Sequence, residues 1–334
     1  MREYDFELRL AAHLEDTGLP GETPVPDPAL VARQLGTSVI GAGSRIMDLV
    51  VVGRGPEFDR RQRISPESIP PAAIESDVGV GTARPVREAI DAPLEVAREV
   101  ALAAADRSFF ELTRRDGQLL ARQAVRYPDW FGPLVGIENK PDLASPGDLA
   151  AQLRQDRSLQ VLDAVVLATA SHVTRAHRHR LPDAIGIWQV DPEGPTIDVI
   201  RDPARLSPTE PSFEIREERP GRYAVAPVSP AAKARQRRRI AERAYGKGWR
   251  PDALPACENL QPETVAGTAG LPSCEWAQRL VEPSAECGPD CPGMDPGPAP
   301  AVDLAAERAR RTAWEPDPSG AASRQSFLDR FQEG

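Results

Sequence analysis

At 334 residues the chain can hold one sizeable core and a smaller module, about two units at ~150 residues each. Its 50 Asp and Glu outweigh 41 Lys and Arg for a net charge of −9, and only Lys140, Lys233 and Lys247 are lysines; an acidic, arginine-dominated chain of this kind stays soluble where salt screens repulsion, so the overall charge does not exclude DNA as a partner. No apolar run approaches the ~20 residues that span a bilayer and Met1 to Asp5 opens no signal-peptide core, which excludes a membrane-spanning helix and points to the cytoplasm.

Residues 3 to 15 place Phe6, Leu10 and Leu14 at helical spacing beside Leu8 and Ala11, an amphipathic helix that includes Glu7. The proline-rich connector from Pro20 to Pro28 leads to a short helix expected over Pro28 to Leu35. Arg45 to Val52 reads as a buried strand interrupted by one carboxylate, Asp48, and closed by Gly53 and Gly55. Residues 56 to about 130 read as an insertion with a helix near Leu94 to Ala105 and a hairpin over Phe109 to Val125 turning at Asp116-Gly117, a combination compatible with a winged-helix shape.

Leu134 to Lys140 forms the next strand, stopped by Pro141. After it come a helix opened by Ser145-Pro146 and running through Leu149, Leu153 and Leu159, an apolar strand Ala164 to Ala168, and a hairpin of Ile185 to Val190 with Thr196 to Ile200. This succession predicts an α/β domain over residues 1 to about 205, with a sheet covered by helices. Residues 206–250 read as a linker and a basic helix, 251–295 as a four-cysteine module, and 296–334 as a flexible tail.

An aspartate inside Ile46-Met47-Asp48-Leu49-Val50 is costly to bury unless it is paired, protonated or bound to a cation, and the same holds for Glu138 at the end of Leu134 to Ile137. Two strands each interrupted by one carboxylate suggest a shared reason. Glu138 and Lys140 are two apart on a strand and project from one face, with the Asn139 carbonyl between them. Phosphodiester hydrolysis needs such a kit: hard oxygen ligands for Mg²⁺ or Mn²⁺, and an ammonium beside the developing charge that can orient a water.

Asp48, the run Glu138-Asn139-Lys140, the following helix and the strand Ala164 to Ala168 resemble the PD-(D/E)xK superfamily, with its restriction-endonuclease-like fold. More locally, Gly136 to Pro141, the helix with Gln155-Asp156, Asp163 to Thr169 and Ile185 to Trp188 resemble the small MmcB-like DNA-repair members. The resemblance implies a central mixed sheet flanked by helices and metal-dependent DNA cleavage in repair or replication. It also implies that Glu7 on the first helix completes the metal site and that Gln155, or else Gln152, is the polar residue on the helix after the lysine. The lysine-poor composition itself resembles that of proteins from salt-loving archaea. A protein that keeps the fold and binds DNA as an adaptor without cutting is the alternative.

Cys257, Cys274, Cys287 and Cys291 include a close C-x3-C pair with glycine and prolines around it, a turn that brings thiolates onto one ion while the distant pair completes tetrahedral coordination. Structural Zn²⁺ or an iron–sulfur cluster would fit, because both take four thiolates. His172, His177 and His179 with Arg175, Arg178 and Arg180 form a basic loop. The terminal Gln325-Ser326-Phe327-Leu328-Asp329-Arg330-Phe331 resembles a sliding-clamp-binding box, in which Gln325, Leu328 and Phe331 would engage an apolar cleft.

Overall fold

The computed structural model describes residues 2–311 except 24, 26–28, 41–44, 63–69, 125, 192–195, 220 and 252. The predicted first helix is α1 (Glu3–Thr17), with Glu3 and Asp5 in its first turn near the positive end of the helix dipole. Strands β1 (Leu30–Gly36) and β2 (Ile46–Arg54) pair antiparallel, Ala32 opposite Val50. The short helix expected over Pro28 to Leu35 is therefore a strand. Leu30, Val31 and Ala32 are all buried, and pairing with the apolar β2 overrides the local spacing.

The insertion contributes α2 (Phe58–Gln62), α3 (Pro71–Ile74), β3 (Arg84–Pro85), α4 (Val86–Ala89), α5 (Leu94–Asp106) and the hairpin of β4 (Phe110–Arg115) with β5 (Gln118–Gln123). The hairpin turns at Asp116 and Gly117, with φ of 50° and 75°, the two left-handed residues that a type I′ turn requires. β6 (Phe131–Asn139), α6 (Leu149–Leu159), β7 (Ala164–Thr169), α7 (Arg175–Arg180), β8 (Gly186–Val190) and β9 (Ile197–Arg201) complete the body. α7 occupies the expected basic loop, capped at its start by the Thr174 hydroxyl.

The central sheet has six strands in the order β1-β2-β6-β7-β8-β9. β1, β2 and β6 are antiparallel neighbours, β6, β7 and β8 run parallel, and β9 returns antiparallel at the edge. Each parallel step needs a crossover, and α6 and α7 supply the two.

The chain continues through the hairpin of β10 (Ser212–Arg219) and β11 (Arg222–Val228), then α8 (Pro230–Lys247). A small sheet of β12 (Leu260–Val265), β13 (Thr268–Cys274) and β14 (Arg279–Leu280) follows, with α9 (Pro283–Glu286) and α10 (Leu304–Arg311). The stretch 206–250, expected as a linker and a basic helix, is part of the main body. Ile240, Ala241, Ala244 and Tyr245 recur on one face of α8 and enter the core, so its arginines flank a buried stripe.

Two apolar layers enclose the sheet. On one face Phe6, Leu10 and Leu14 of α1 meet Leu49, Val51, Ile137, Val166 and Trp188. On the other, Val50, Val52, Leu134 and Val165 meet Leu153 of α6, Tyr245 of α8 and the apolar side of the insertion. Buried Glu242 on α8 binds the insertion to this face, accepting from Arg61 Nη2 at 2.9 Å, from Trp130 Nε1 at 2.7 Å and from the Tyr127 hydroxyl.

The small sheet packs on the outer side of α1 through Val265, Leu271 and Leu280 beside Trp249. Arg9 reaches Glu263 at 2.9 Å, and Arg250 Nη1 reaches Glu15 at 3.0 Å. No helix among the described residues is long and apolar enough to cross a membrane. Gln325, Leu328 and Phe331 lie outside the described residues.

Candidate functional site

The antiparallel register ends with Leu49 opposite Ile137, which leaves Asp48 and Glu138 at the adjacent ends of β2 and β6. The Asn139 N–H donates to Asp48 Oδ2 at 2.8 Å, which ties the head of β2 to the end of β6. Glu7 arrives from α1, where Arg33 Nε donates to its Oε1 at 2.7 Å. Gln34 joins the two acids: its amide donates to Glu7 Oε2 at 3.1 Å and to Asp48 Oδ1 at 3.3 Å. Its φ of 54° is unusual for a non-glycine residue, and such strained positions cluster where a side chain must be aimed at a site.

Glu138 is held by Arg45, whose Nη2 donates to Glu138 Oε2 at 2.6 Å and to Asp156 Oδ2 at 2.7 Å. All three side chains are buried. Lys140 is not part of this triad. Its backbone N–H donates to Ala168, while its ammonium pairs with exposed Glu3 on the first turn of α1. Lys140, Tyr4, Glu282 and Glu286 line a cleft of about 550 Å³ whose lining includes none of Asp48, Glu138 and Glu7, and α9 and the residue before it form one wall.

Burial raises Glu138 to about 7, the Asp48 charge pushes the same way, and Arg45 opposes both. Burial also raises Glu7 to about 7, with Arg33 opposing and Asp48 adding to the rise. Asp48 is itself raised by burial against the Asn139 N–H, Arg45 and Gln34. Three acids therefore share one poorly solvated neighbourhood with two arginines, an arrangement that gains from any further positive charge.

Among the described residues, no three His, Cys, Asp or Glu side chains are grouped as a ready-made metal cage. Mg²⁺ needs less, since one or two carboxylates with waters and substrate oxygens suffice, and Asp48 with Glu138 offers that donor set. The Asn139 side chain, buried between Glu138 and Lys140 in sequence, leaves both of its polar atoms without a protein partner, so hydrogen-bonding capacity remains at the site.

The structure brings the expected Asp48, Glu138 and Glu7 near one another, while Lys140 lies one position past the end of β6. Gln155 is half-buried one position round α6 from the residue that reaches inward, which is Asp156. Leu149, Leu153 and Asp156 share the i, i+4, i+7 face, so the spacing carried that signal. Arg33, Gln34 and Arg45 were missed. Arg45 stands at the head of an apolar strand, where a buried guanidinium implies buried acids opposite it.

The cysteines gather around the small sheet. Cys257 and Cys274 are buried, Cys287 and Cys291 half-buried, and all four are free thiols. Burial pushes the Cys287 thiol up, and Cys291, Cys274 and Cys257 push it further. The four thiols are the donor type that Zn²⁺ or an iron–sulfur cluster takes, although they are not grouped closely enough to hold an ion as they stand.

A family model described as "Family of unknown function (DUF5787)" matches residues 30–296. No curated protein and no solved structure matches the chain. The matched span contains Asp48, Glu138, Lys140, Asp156 and the cysteines, whereas Glu7 precedes it.

Proposed function

We propose that this chain, which belongs to the DUF5787 family, is a metal-dependent DNA nuclease-like protein that hydrolyses phosphodiester bonds in DNA repair or replication. The observation that carries the reading is the convergence of Asp48, Glu138 and Glu7 at one end of the sheet, close enough for the Asp48 charge to raise both glutamates. The order helix, antiparallel β1-β2-β6, crossover α6 and parallel β7 supports the restriction-endonuclease-like version of the fold.

Asp48 and Glu138, assisted by Glu7, would hold Mg²⁺ or Mn²⁺, which supplies Lewis-acid activation of the phosphodiester and of a water. Arg45 fixes the Glu138 carboxylate in one orientation, and Asp156 fixes Arg45. Gln34 sets the spacing of Glu7 and Asp48. Lys140, at the mouth of the cleft, would exchange Glu3 for the attacking water or a substrate oxygen. The four cysteines would hold structural Zn²⁺ or an iron–sulfur cluster and so brace the cleft wall formed by Glu282 and Glu286. Gln325, Leu328 and Phe331 would tether the protein to a sliding clamp.

The Arg45–Glu138 pair favours a second reading, a DNA-binding adaptor that keeps the fold without cleavage, because that guanidinium already neutralises one of the two metal-binding acids. The two readings part in one experiment. Purified protein is incubated in high salt with Mg²⁺ or Mn²⁺ and single-stranded, duplex and branched DNA. Nuclease function requires cutting of at least one form that Asp48→Ala and Lys140→Ala abolish. Cutting that survives both substitutions rejects the assignment, and DNA binding with no cutting establishes the adaptor.

A further inference from the structure

At the C-terminal end of α6, away from the carboxylates, a cleft of about 1020 Å³ opens between that helix, the connection from α7 to β8, and the β10–β11 hairpin. One wall is apolar and aromatic. Phe213 and Ile215 alternate on β10, Tyr223 and Val225 alternate on β11, and the register sets Ile215 opposite Val225, so all four share one face of the hairpin. That face is open to solvent, with Phe213 55%, Tyr223 50% and Val225 50% exposed.

The opposite face of the hairpin is anchored. Buried Glu214 accepts from the Val39 and Ile40 N–H groups at 3.0 and 2.7 Å, and the Ser212 hydroxyl donates to the Leu159 carbonyl at 2.7 Å. The aromatic face is thus held rigidly in water, which is costly unless something covers it.

The facing wall is cationic. Arg154, Arg157, Arg180 and Arg205 line the cleft, and Asp183 is the one acidic lining residue. Arg154 pairs with Glu218 at 2.6 Å, while exposed Arg157, Arg180 and Arg205 enter no ion pair among the described residues. Three unpaired guanidiniums gathered opposite two exposed aromatic rings, on a chain of net charge −9, make a local positive groove with stacking platforms. Unpaired nucleotides need that combination, since each base offers a π-face and each linkage a phosphate.

We propose that this cleft binds single-stranded DNA, its bases stacking on Phe213 and Tyr223 and its phosphates meeting Arg157, Arg180 and Arg205. It deepens the nuclease reading, which it rests on for the choice of DNA over other anionic polymers, by naming the strand form presented to the protein. Helix α6 links the two places, because Asp156 faces inward to Arg45 while Arg154 and Arg157 line the cleft.

The test is fluorescence anisotropy of a labelled oligothymidylate of roughly 12 nucleotides, within the ~4–16 that such sites span, measured on the full chain in EDTA across a salt series. Phe213→Ala and Tyr223→Ala are each expected to weaken binding roughly ten-fold. Arg157→Gln with Arg205→Gln should flatten the dependence of log K on log salt by about 1.4, at ~0.7 for each phosphate that is no longer neutralised. All four side chains are solvent-accessible, so thermal midpoints serve as the folding control.

Unchanged binding in the aromatic variants overturns the proposal. So does equal or tighter binding of a duplex of the same length, which would show charge without stacking, or a preference for the matching RNA. Loss of self-association in Phe213→Ala with DNA binding intact would assign the face to a second copy of the chain. If the wild type binds in EDTA yet cuts no DNA with any metal, the nuclease reading fails and the groove stands. If it cuts while the cleft variants bind normally, the reverse holds.

Discussion

Replacing Asp48 by asparagine tests whether the acidic cluster is a site held together at a cost to stability. Glu7 and Glu138 each rise from 4.5 to about 7 in the folded chain, a change worth on the order of 3 kcal/mol per group. Because the folded-state values are raised, the two groups contribute fully to stability below their unfolded values near 4.5, and the contribution is lost as pH climbs through about 7. Burial is the largest cause at both, so removing the Asp48 charge recovers only a part, about 1 kcal/mol at each. An asparagine Oδ1 can still accept from the Asn139 N–H.

Without divalent cations, wild type should therefore lose stability between pH 5 and pH 8, and Asp48→Asn should lose less. At pH 8 the variant's thermal midpoint should be higher by a few degrees, at ~2–4 °C per kcal/mol. At pH 5 the two should coincide or the variant lie slightly lower. Circular-dichroism melts at fixed salt in EDTA measure both arms. A variant destabilised equally at the two pH values would refute the idea that these carboxylates repel one another.

Arg45→Ala leaves Glu138 and Asp156 buried without a countercharge, which should cost ~3–5 kcal/mol in urea denaturation at pH 8 and less at pH 5, where the acids take up protons. Lys140→Ala should leave urea stability within ~0.5 kcal/mol, because its partner Glu3 is exposed, while any cleavage falls by roughly 100-fold or more in a gel assay. If the four cysteines hold a metal, elemental analysis of anaerobically purified protein should find zinc with no visible absorption or iron with it, and Cys257→Ser should lower both metal content and thermal midpoint. In wild type at pH 7, Mg²⁺ binding should release protons, seen by titration calorimetry in buffers of different ionisation enthalpy, and the release should vanish in Asp48→Asn.

The strands that carry Asp48 and Glu138 were legible because each is an apolar run broken by one acid, and the Asp116-Gly117 turn was legible because it needs two left-handed residues. β1 was misjudged as a helix since Leu30 to Leu35 has no period-2 alternation, both faces being buried, and its strand character exists only through β2. The partners of the acids were illegible for a different reason. Arg33 and Arg45 lie 26 and 93 positions from Glu7 and Glu138, and nothing local marks which arginine is drawn inside. α8 was read from its arginines, although its aliphatic and aromatic stripe decides where it sits.

The position of α1 bears on how the molecule can be taken apart. The helix that delivers Glu7 and Glu3 lies between two layers, the central sheet on one side and the cysteine-bearing sheet on the other, clasped by Arg9–Glu263 and Arg250–Glu15. Removing residues 251 onward would strip the outer cover from Phe6's helix and free its pitch relative to β1. A fragment cut at residue 250, which keeps α8 in the core, should therefore keep Asp48 and Glu138 in register while losing Glu7, so partial chains are unsuited to judging the whole site.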